Sequence, residues 1–146
     1  MRTRLTSAVA ALAVLVGVSS CAGDGTGLDE YGNPAGQIAA LGPTLAGLQD
    51  NIFTPICTRC HTGAAAPLGL ALDAGVAYQN LVGVQSVGDP QMVLVSPGQP
   101  EASYLVWKVE GRSGIVGGRM PLGLEPLSAE QLAAIGGWIQ AGAPSN

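Results

Sequence analysis

Two cysteines and a histidine stand close together in this chain, as Cys57, Cys60 and His61, with Thr58 and Arg59 between the two thiols. Two thiols separated by two residues can add across the two vinyl groups of one porphyrin. An adjacent imidazole can then ligate the porphyrin iron. The pattern therefore predicts one covalently attached haem c, held through Cys57 and Cys60, with His61 as the proximal iron ligand.

Three other interpretations of the same residues stay open. A redox disulfide normally sits at the start of a helix after a buried strand, whereas residues 45–56 have helical spacing. A tetrahedral zinc site needs about four cysteine or histidine ligands. Besides Cys57, Cys60 and His61 the chain offers only Cys21, which is expected to have another role near the N-terminus. A chance match is the third, although both residue types are scarce here. Haem attachment is the favoured interpretation.

The distal side of the iron has a candidate ligand in Met120. His61 is the only histidine in the sequence, so two imidazoles from one chain cannot ligate one iron. Met120 lies between a glycine pair and Pro121, in a loop that could present a thioether sulfur to the iron. We expect Met120 to be the distal ligand, with a buried core position as the alternative. Met92, inside an apolar run, is expected to be a core residue.

The N-terminal residues 1–20 predict a bacterial lipoprotein signal peptide. Arg2 and Arg4 precede an apolar run from Ala8 to Val18, which is too short to span a bilayer. Small residues then precede Cys21. This pattern resembles the site at which a lipoprotein precursor is cleaved before a cysteine that becomes acylated. The alternative is an ordinary signal peptide with Cys21 as a stray thiol. Lipidation of Cys21 would anchor the chain to a membrane.

Charge and composition narrow the remaining possibilities. Removal of Arg2 and Arg4 with the signal peptide leaves four basic against ten acidic side chains, a formal charge of −6. Since no cluster of lysine or arginine exists, nucleic acid is not an expected partner. Residues 21–43 are rich in glycine and are expected to form a flexible tether behind the lipidated cysteine. Residues 44–146 then make up one domain.

Three helices are predicted in residues 44–146, and together they indicate an all-α fold. The first is capped by Thr44, the second covers residues 101–109, and the third opens with a capping box of Ser128 and Gln131. A weaker helix is expected over residues 74–81, and a short extended segment is one interpretation of residues 91–95. The expected buried positions are Leu45, Leu48, Ile52 and Phe53, then Ala102, Leu105, Val106 and Val109, and finally Leu132, Ile135 and Ile139.

This arrangement resembles the cytochrome c family over about residues 44–143. The resemblance rests on the Cys57–His61 motif, on Gly118-Arg119-Met120-Pro121, and on Leu127-Ser128 running into Trp138-Ile139 and Gly142-Ala143. It implies a small all-α domain in which terminal helices cross and loops wrap one haem, with Met120 as the axial methionine. It also makes the Pro67 carbonyl the candidate partner of the His61 ring, although Pro67 could simply stiffen a loop. Arg112, Arg119 and Trp107 could reach haem propionates, but solvated or core positions are the more ordinary interpretation of each.

The resemblance implies a function as well as a fold. It indicates a membrane-tethered, single-haem c-type cytochrome that is an electron carrier and not an enzyme. Its partners would be redox proteins of the periplasm or the membrane, and it would sit on the periplasmic face of the inner or the outer membrane. Two alternatives stay open. One is a sensor in which a diatomic gas displaces Met120, and the other is a small haem enzyme with a displaceable methionine.

Overall fold

The structure, a computed structural model, describes residues 41–146. The predicted signal peptide, Cys21 and most of the predicted tether therefore lie outside the described residues. Among residues 41–146, no helix is both long and apolar enough to cross a bilayer.

Short helices and loops make up the described part of the chain. The α-helices in residues 41–146 are α1 (Leu45–Leu48), α2 (Ala77–Leu81), α3 (Tyr104–Glu110) and α4 (Ala129–Gln140). Helix α1 continues without a break into a π-helical stretch, Gln49–Phe53. Short 3₁₀ turns lie at Cys57–Arg59, Gly63–Ala65, Pro67–Gly69 and Pro100–Ala102.

Helix α1 begins where the sequence predicts. The Thr44 hydroxyl accepts a hydrogen bond from the Gly47 amide at 3.1 Å, which caps the first turn. Leu48 and the two apolar residues of the π-helical stretch, Ile52 and Phe53, are fully buried in the core, as expected from their spacing. Pro55 has no amide hydrogen to continue the helix, and the chain turns there into the cysteine motif.

Helix α3 begins three residues later than predicted. Ser103 has an extended backbone, and its hydroxyl donates to the Gln99 carbonyl at 2.9 Å, so residues 100–102 form a separate 3₁₀ turn. Ala102 is consequently exposed, and the expectation that it is buried was wrong. Val106 and Val109 are buried as expected, Leu105 is half-buried, and Tyr104 is a further buried residue of α3.

Helix α4 confirms the strongest local prediction. The Ser128 hydroxyl accepts from the Gln131 amide at 3.2 Å, and the Gln131 side chain accepts from the Ser128 amide at 2.9 Å. Trp138 is fully buried on the inner face. Helix α4 contacts α1 and α3, and Gly137 allows a close approach because a Cβ there would lie 3.1 Å from Pro43.

The segments between the helices are held by isolated bridges. Val82 pairs with Val95, Gln85 with Val93, and Val93 with Ser103. The extended interpretation of residues 91–95 therefore holds only at the bridge residues Val93 and Val95, since the other three lie in a turn and in bends. The helix expected over residues 74–81 is confined to α2. The fully or nearly buried core joins α1, α2, α3 and α4 through Leu48, Ile52, Phe53, Leu81, Val95, Val109, Ile135, Trp138 and Ile139.

Candidate cofactor site

One cavity of about 510 Å³ collects the candidate residues from distant parts of the chain. Cys57, Cys60 and His61 line it together with Met120, and α3 contributes a further wall. Its volume lies within the range of about 300 to 1,000 Å³ that is common for small-molecule and cofactor sites. The sequence predicted that these four residues act together, and the structure brings them to one cavity.

A 3₁₀ turn arranges the cysteine motif. The Cys57 carbonyl accepts hydrogen bonds from the Cys60 amide at 3.1 Å and from the His61 amide at 2.9 Å. This tight turn brings the two cysteines and the imidazole onto the same cavity. Both cysteines are free thiols in this structure. Burial raises the pKa of the Cys57 thiol to about 11, so Cys57 is neutral at pH 7.

The His61 ring is oriented by the backbone of residue 70. Its Nδ1 lies 3.0 Å from the Leu70 carbonyl oxygen. Because a carbonyl oxygen can only accept, this contact favours the neutral tautomer that is protonated at Nδ1, in which the Nε2 lone pair is available to a metal. A carbonyl partner was expected, but its assignment to Pro67 was wrong. Leu68 and Gly69 both have positive φ, which reverses the chain and brings the Leu70 carbonyl to the ring.

The segment that holds His61 is itself anchored from two sides. The Leu72 amide donates to the His61 carbonyl at 2.8 Å. The side-chain amide of Gln49 donates to the Leu72 carbonyl at 3.0 Å, and that of Asn80 donates to the Ala71 carbonyl at 2.7 Å. The imidazole is therefore fixed both through its ring and through its backbone.

A carboxylate closes the loop that follows His61. Asp73 accepts hydrogen bonds from the Thr62 hydroxyl at 2.5 Å and from the Gly63 amide at 2.8 Å. These two bonds, the Thr62 bond foremost, lower the pKa of Asp73. Asp73 thus fixes the chain directly after the candidate ligand while remaining ionised.

The two methionines of the described chain lie in different surroundings. Met120 is half-buried, packs against the hydrophobic core and lines the cavity. Its amide donates to the Lys108 carbonyl at 2.8 Å, which ties it to α3. Met92 is also half-buried, but it is neither a cavity-lining residue nor a member of the described core cluster. The expectation that Met92 is a core residue was therefore wrong.

Tyr104 and Lys108 are cavity residues that the sequence analysis missed. They lie four residues apart on α3, and this spacing places two side chains on one helix face. The Tyr104 hydroxyl accepts from the Val116 amide at 2.9 Å. Lys108 Nζ donates to the carbonyls of Val116 and Gly118 at 2.9 and 2.6 Å. Partial burial lowers the pKa of Lys108.

Arg112 and Trp107, two of the three side chains considered for haem propionates, are engaged elsewhere. Arg112 pairs with Glu101 at 2.6 Å and with Glu110 at 2.5 Å, and its guanidinium lies 5.7 Å from the Trp107 ring centroid. Hydrogen bonds to these two carboxylates raise the pKa of Arg112. The hydrogen bond between Arg112 and Glu101 also lowers the pKa of Glu101. Arg112, Trp107 and Arg119 are not among the residues that line the cavity, whereas Lys108 is.

The mouth of the cavity is apolar. Its lining includes exposed hydrophobic side chains, which are between 42% and 70% accessible, namely Leu68, Val87, Val116, Leu122 and Leu124. Side chains of this kind are unfavourable in water unless something apolar covers them. An apolar macrocycle in contact with His61 and Met120 fits this lining, so the residues present suit a haem.

Comparisons with known proteins add no relative: no protein family, no curated protein and no solved structure matches this chain. Within residues 41–146, no three histidine, cysteine or acidic side chains are grouped so that they could hold a metal ion. Among the described residues, no further side chain therefore joins Cys57, Cys60 and His61 to complete a zinc site.

Proposed function

We propose that this chain is a single-haem c-type cytochrome that carries electrons in the bacterial cell envelope. The observation that supports it best is the convergence of Cys57, Cys60, His61 and Met120 on one apolar cavity. Cys57 and Cys60 would hold the porphyrin through two thioethers, and His61 would ligate the iron through Nε2. Met120 would supply a second ligand to the iron. Bound haem supplies a one-electron ferrous–ferric couple.

Each proposed role uses a property of the chain itself. The Leu70 carbonyl keeps His61 in the tautomer that leaves Nε2 free. A thioether from Met120 favours the ferrous state and raises the reduction potential relative to a second imidazole. If His61 and Met120 both ligate the iron, no coordination site would be left for a substrate, which would favour electron transfer over an enzymatic reaction. The apolar residues around the cavity mouth would exclude water from the cofactor.

Covalent haem attachment is the first test. The full chain is produced in a bacterial periplasm together with a haem-attachment system, and its mass is measured after denaturation. We expect one haem per chain that survives denaturation, and loss of covalent haem when Cys57 and Cys60 are both replaced by alanine. A wild-type chain that carries no covalent haem under these conditions would contradict the proposal.

The axial ligand is tested with a matched pair of methionine variants. Met120→Ala should lower the reduction potential by more than about 59 mV, which for a one-electron couple is a tenfold change in relative affinity for the two oxidation states. Met92→Ala removes the same side chain from outside the cavity and should leave the potential unchanged. Equal potentials in both variants and the wild type would show that Met120 is not a ligand.

Carbon monoxide separates electron transfer from the alternatives. A six-coordinate carrier should keep its reduced absorption spectrum when carbon monoxide is added. Met120→Ala opens one axial position, so that variant should bind the gas. Rapid binding by the wild type would favour a ligand-binding sensor or a small haem enzyme with a displaceable methionine.

The proposed lipid anchor on Cys21 needs a separate measurement. Cys21→Ser removes the acylated side chain, so we expect the cytochrome to move from the membrane fraction to the soluble periplasmic fraction. Separation of inner and outer membranes would then locate the wild type. Equal membrane association of the two forms would argue against lipidation.

A further inference from the structure

The loop that carries Met120 is shaped by side chains of α3. Between residues 113 and 119, the described structure contains no hydrogen bond from one backbone group to another. Gly114 and Gly117 have positive φ, and Val116 is exposed. Such a stretch has little regular structure of its own, so its position depends on whatever else holds it.

Two residues of α3 hold this stretch at successive points. The Tyr104 hydroxyl accepts from the Val116 amide at 2.9 Å. Lys108 Nζ donates to the Val116 carbonyl at 2.9 Å and to the Gly118 carbonyl at 2.6 Å. Val116 is therefore bound through both of its peptide groups, and Gly118 lies two residues before Met120.

The same helix also holds Met120 directly. The Lys108 carbonyl accepts from the Met120 amide at 2.8 Å, so one residue contacts the loop through its side chain and through its backbone. Lys108 and Tyr104 lie one helical turn apart, and both line the cavity that contains the Met120 side chain. The loop is thus fixed to a helix that also contributes Val106 and Val109 to the hydrophobic core.

We propose that Lys108 and Tyr104 form a clamp that determines how firmly Met120 holds its place in the cavity. The clamp rests on the proposed function, in which Met120 is an iron ligand. Lys108 and Tyr104 are positioning residues that act through Met120. Any added ligand must displace Met120, so its apparent affinity falls in proportion to how stably the loop keeps Met120 in place.

The test compares variants that remove the clamp with variants that keep it. Lys108→Leu removes the donors and retains an apolar stem, while Lys108→Arg retains donors for the two carbonyls. Tyr104→Phe removes only the hydroxyl. Arg112→Leu is the control for loss of one positive charge, and Tyr78→Phe is the control for loss of one hydroxyl away from the cavity.

The main measurement is the affinity of the oxidised holoprotein for imidazole, which competes with a thioether at ferric iron. Loss of the two Lys108 hydrogen bonds should tighten imidazole binding about ten-fold. Tyr104→Phe should tighten it by about two- to ten-fold. Lys108→Arg and both controls should stay within about two-fold of the wild type. A residue with a merely structural role would lower the unfolding temperature without changing this affinity.

Hydrogen exchange provides a second measurement that does not depend on the iron. The Val116 and Met120 amides should exchange faster in Lys108→Leu than in the wild type, and Lys108→Arg should restore the slower exchange. Unchanged imidazole affinity and unchanged exchange in Lys108→Leu would overturn the clamp. If the wild type instead carries no covalent haem, the proposed function fails, and the exchange data alone decide whether Lys108 holds the loop.

Discussion

Replacing Gly111 with alanine tests whether the turn after α3 controls the position of Met120. Gly111 ends α3 in the left-handed conformation, with φ of +74°. A Cβ at this position would lie 2.9 Å from Cδ, 3.0 Å from Cγ and 3.2 Å from Cβ of Arg119. Because the clash reaches the Arg119 Cβ, rotation at the far end of that side chain cannot relieve it. Restoring ordinary contact requires a shift of about 0.5 Å.

Gly98→Ala is the matched control for this substitution. Gly98 has nearly the same backbone angle, with φ of +75°, but a Cβ there meets nothing within 4 Å. Each alanine should cost about 1 to 2 kcal/mol for its left-handed conformation. For a domain of this size, 1 kcal/mol corresponds to about 4 to 8 °C in unfolding temperature. Only Gly111→Ala should also displace Arg119 and, through it, Met120.

Two assays on the holoproteins separate the two effects. Thermal unfolding followed by circular dichroism should show a loss in both variants, and at least as large a loss in Gly111→Ala. Imidazole titration of the oxidised proteins should show tighter binding only in Gly111→Ala, because its Met120 is held less firmly. If the two variants lose stability equally and both bind imidazole as the wild type does, the proposed coupling between Gly111 and Met120 is refuted.

Three further predictions concern the support of the site. Hydrogen bonds from Thr62 and a neighbouring amide lower the pKa of Asp73, so the ionised carboxylate stabilises the fold above its unfolded pKa near 3.8. Urea unfolding should therefore show a stability advantage over Asp73→Asn at pH 7 that shrinks as the pH falls below 3.8, and a pH-independent difference would contradict this. Ser128→Ala removes the α4 cap and should cost about 1 kcal/mol in calorimetry without changing the haem spectrum; full stability would show that the cap is dispensable. Trp138→Phe loses the 2.8 Å hydrogen bond to the Pro144 carbonyl and leaves a void, so urea unfolding should show a loss of about 1 to 3 kcal/mol, and no loss would contradict it.

Local chemistry explains which parts of the structure could be predicted from the sequence. Both helix caps are local interactions between residues three positions apart, namely Ser128 with Gln131 and Thr44 with Gly47. Each partner is therefore visible in the neighbouring sequence. The cysteine motif is similarly compact, because one 3₁₀ turn brings its thiols and imidazole together. The start of α3 could not be read this way. It depends on Ser103, whose buried hydroxyl connects two loop segments and separates the preceding turn from the helix.

The hydrogen-bond partners of His61 and Met120 could be identified only in the folded structure, because they lie at other positions in the chain. The His61 ring reaches the Leu70 carbonyl only because two residues with positive φ reverse the backbone before it. A leucine at position 68 carries no signal of such a conformation, which is rare for a residue with a β-carbon. The tautomer of the candidate ligand is thus determined by a turn that sequence patterns do not reveal.

Lys108, another residue that lines the cavity, illustrates the same point. It is the only lysine in the sequence and follows Tyr104 by one helical turn, a spacing that is visible without a structure. An ordinary interpretation would place its ammonium group in water, since lysines are rarely buried. Its partners are two carbonyls of a glycine-rich loop, and carbonyls leave no mark on the sequence. Residue spacing can therefore identify candidate functional residues. The groups that hold these residues in place are largely backbone atoms, and their positions are known only from the folded structure.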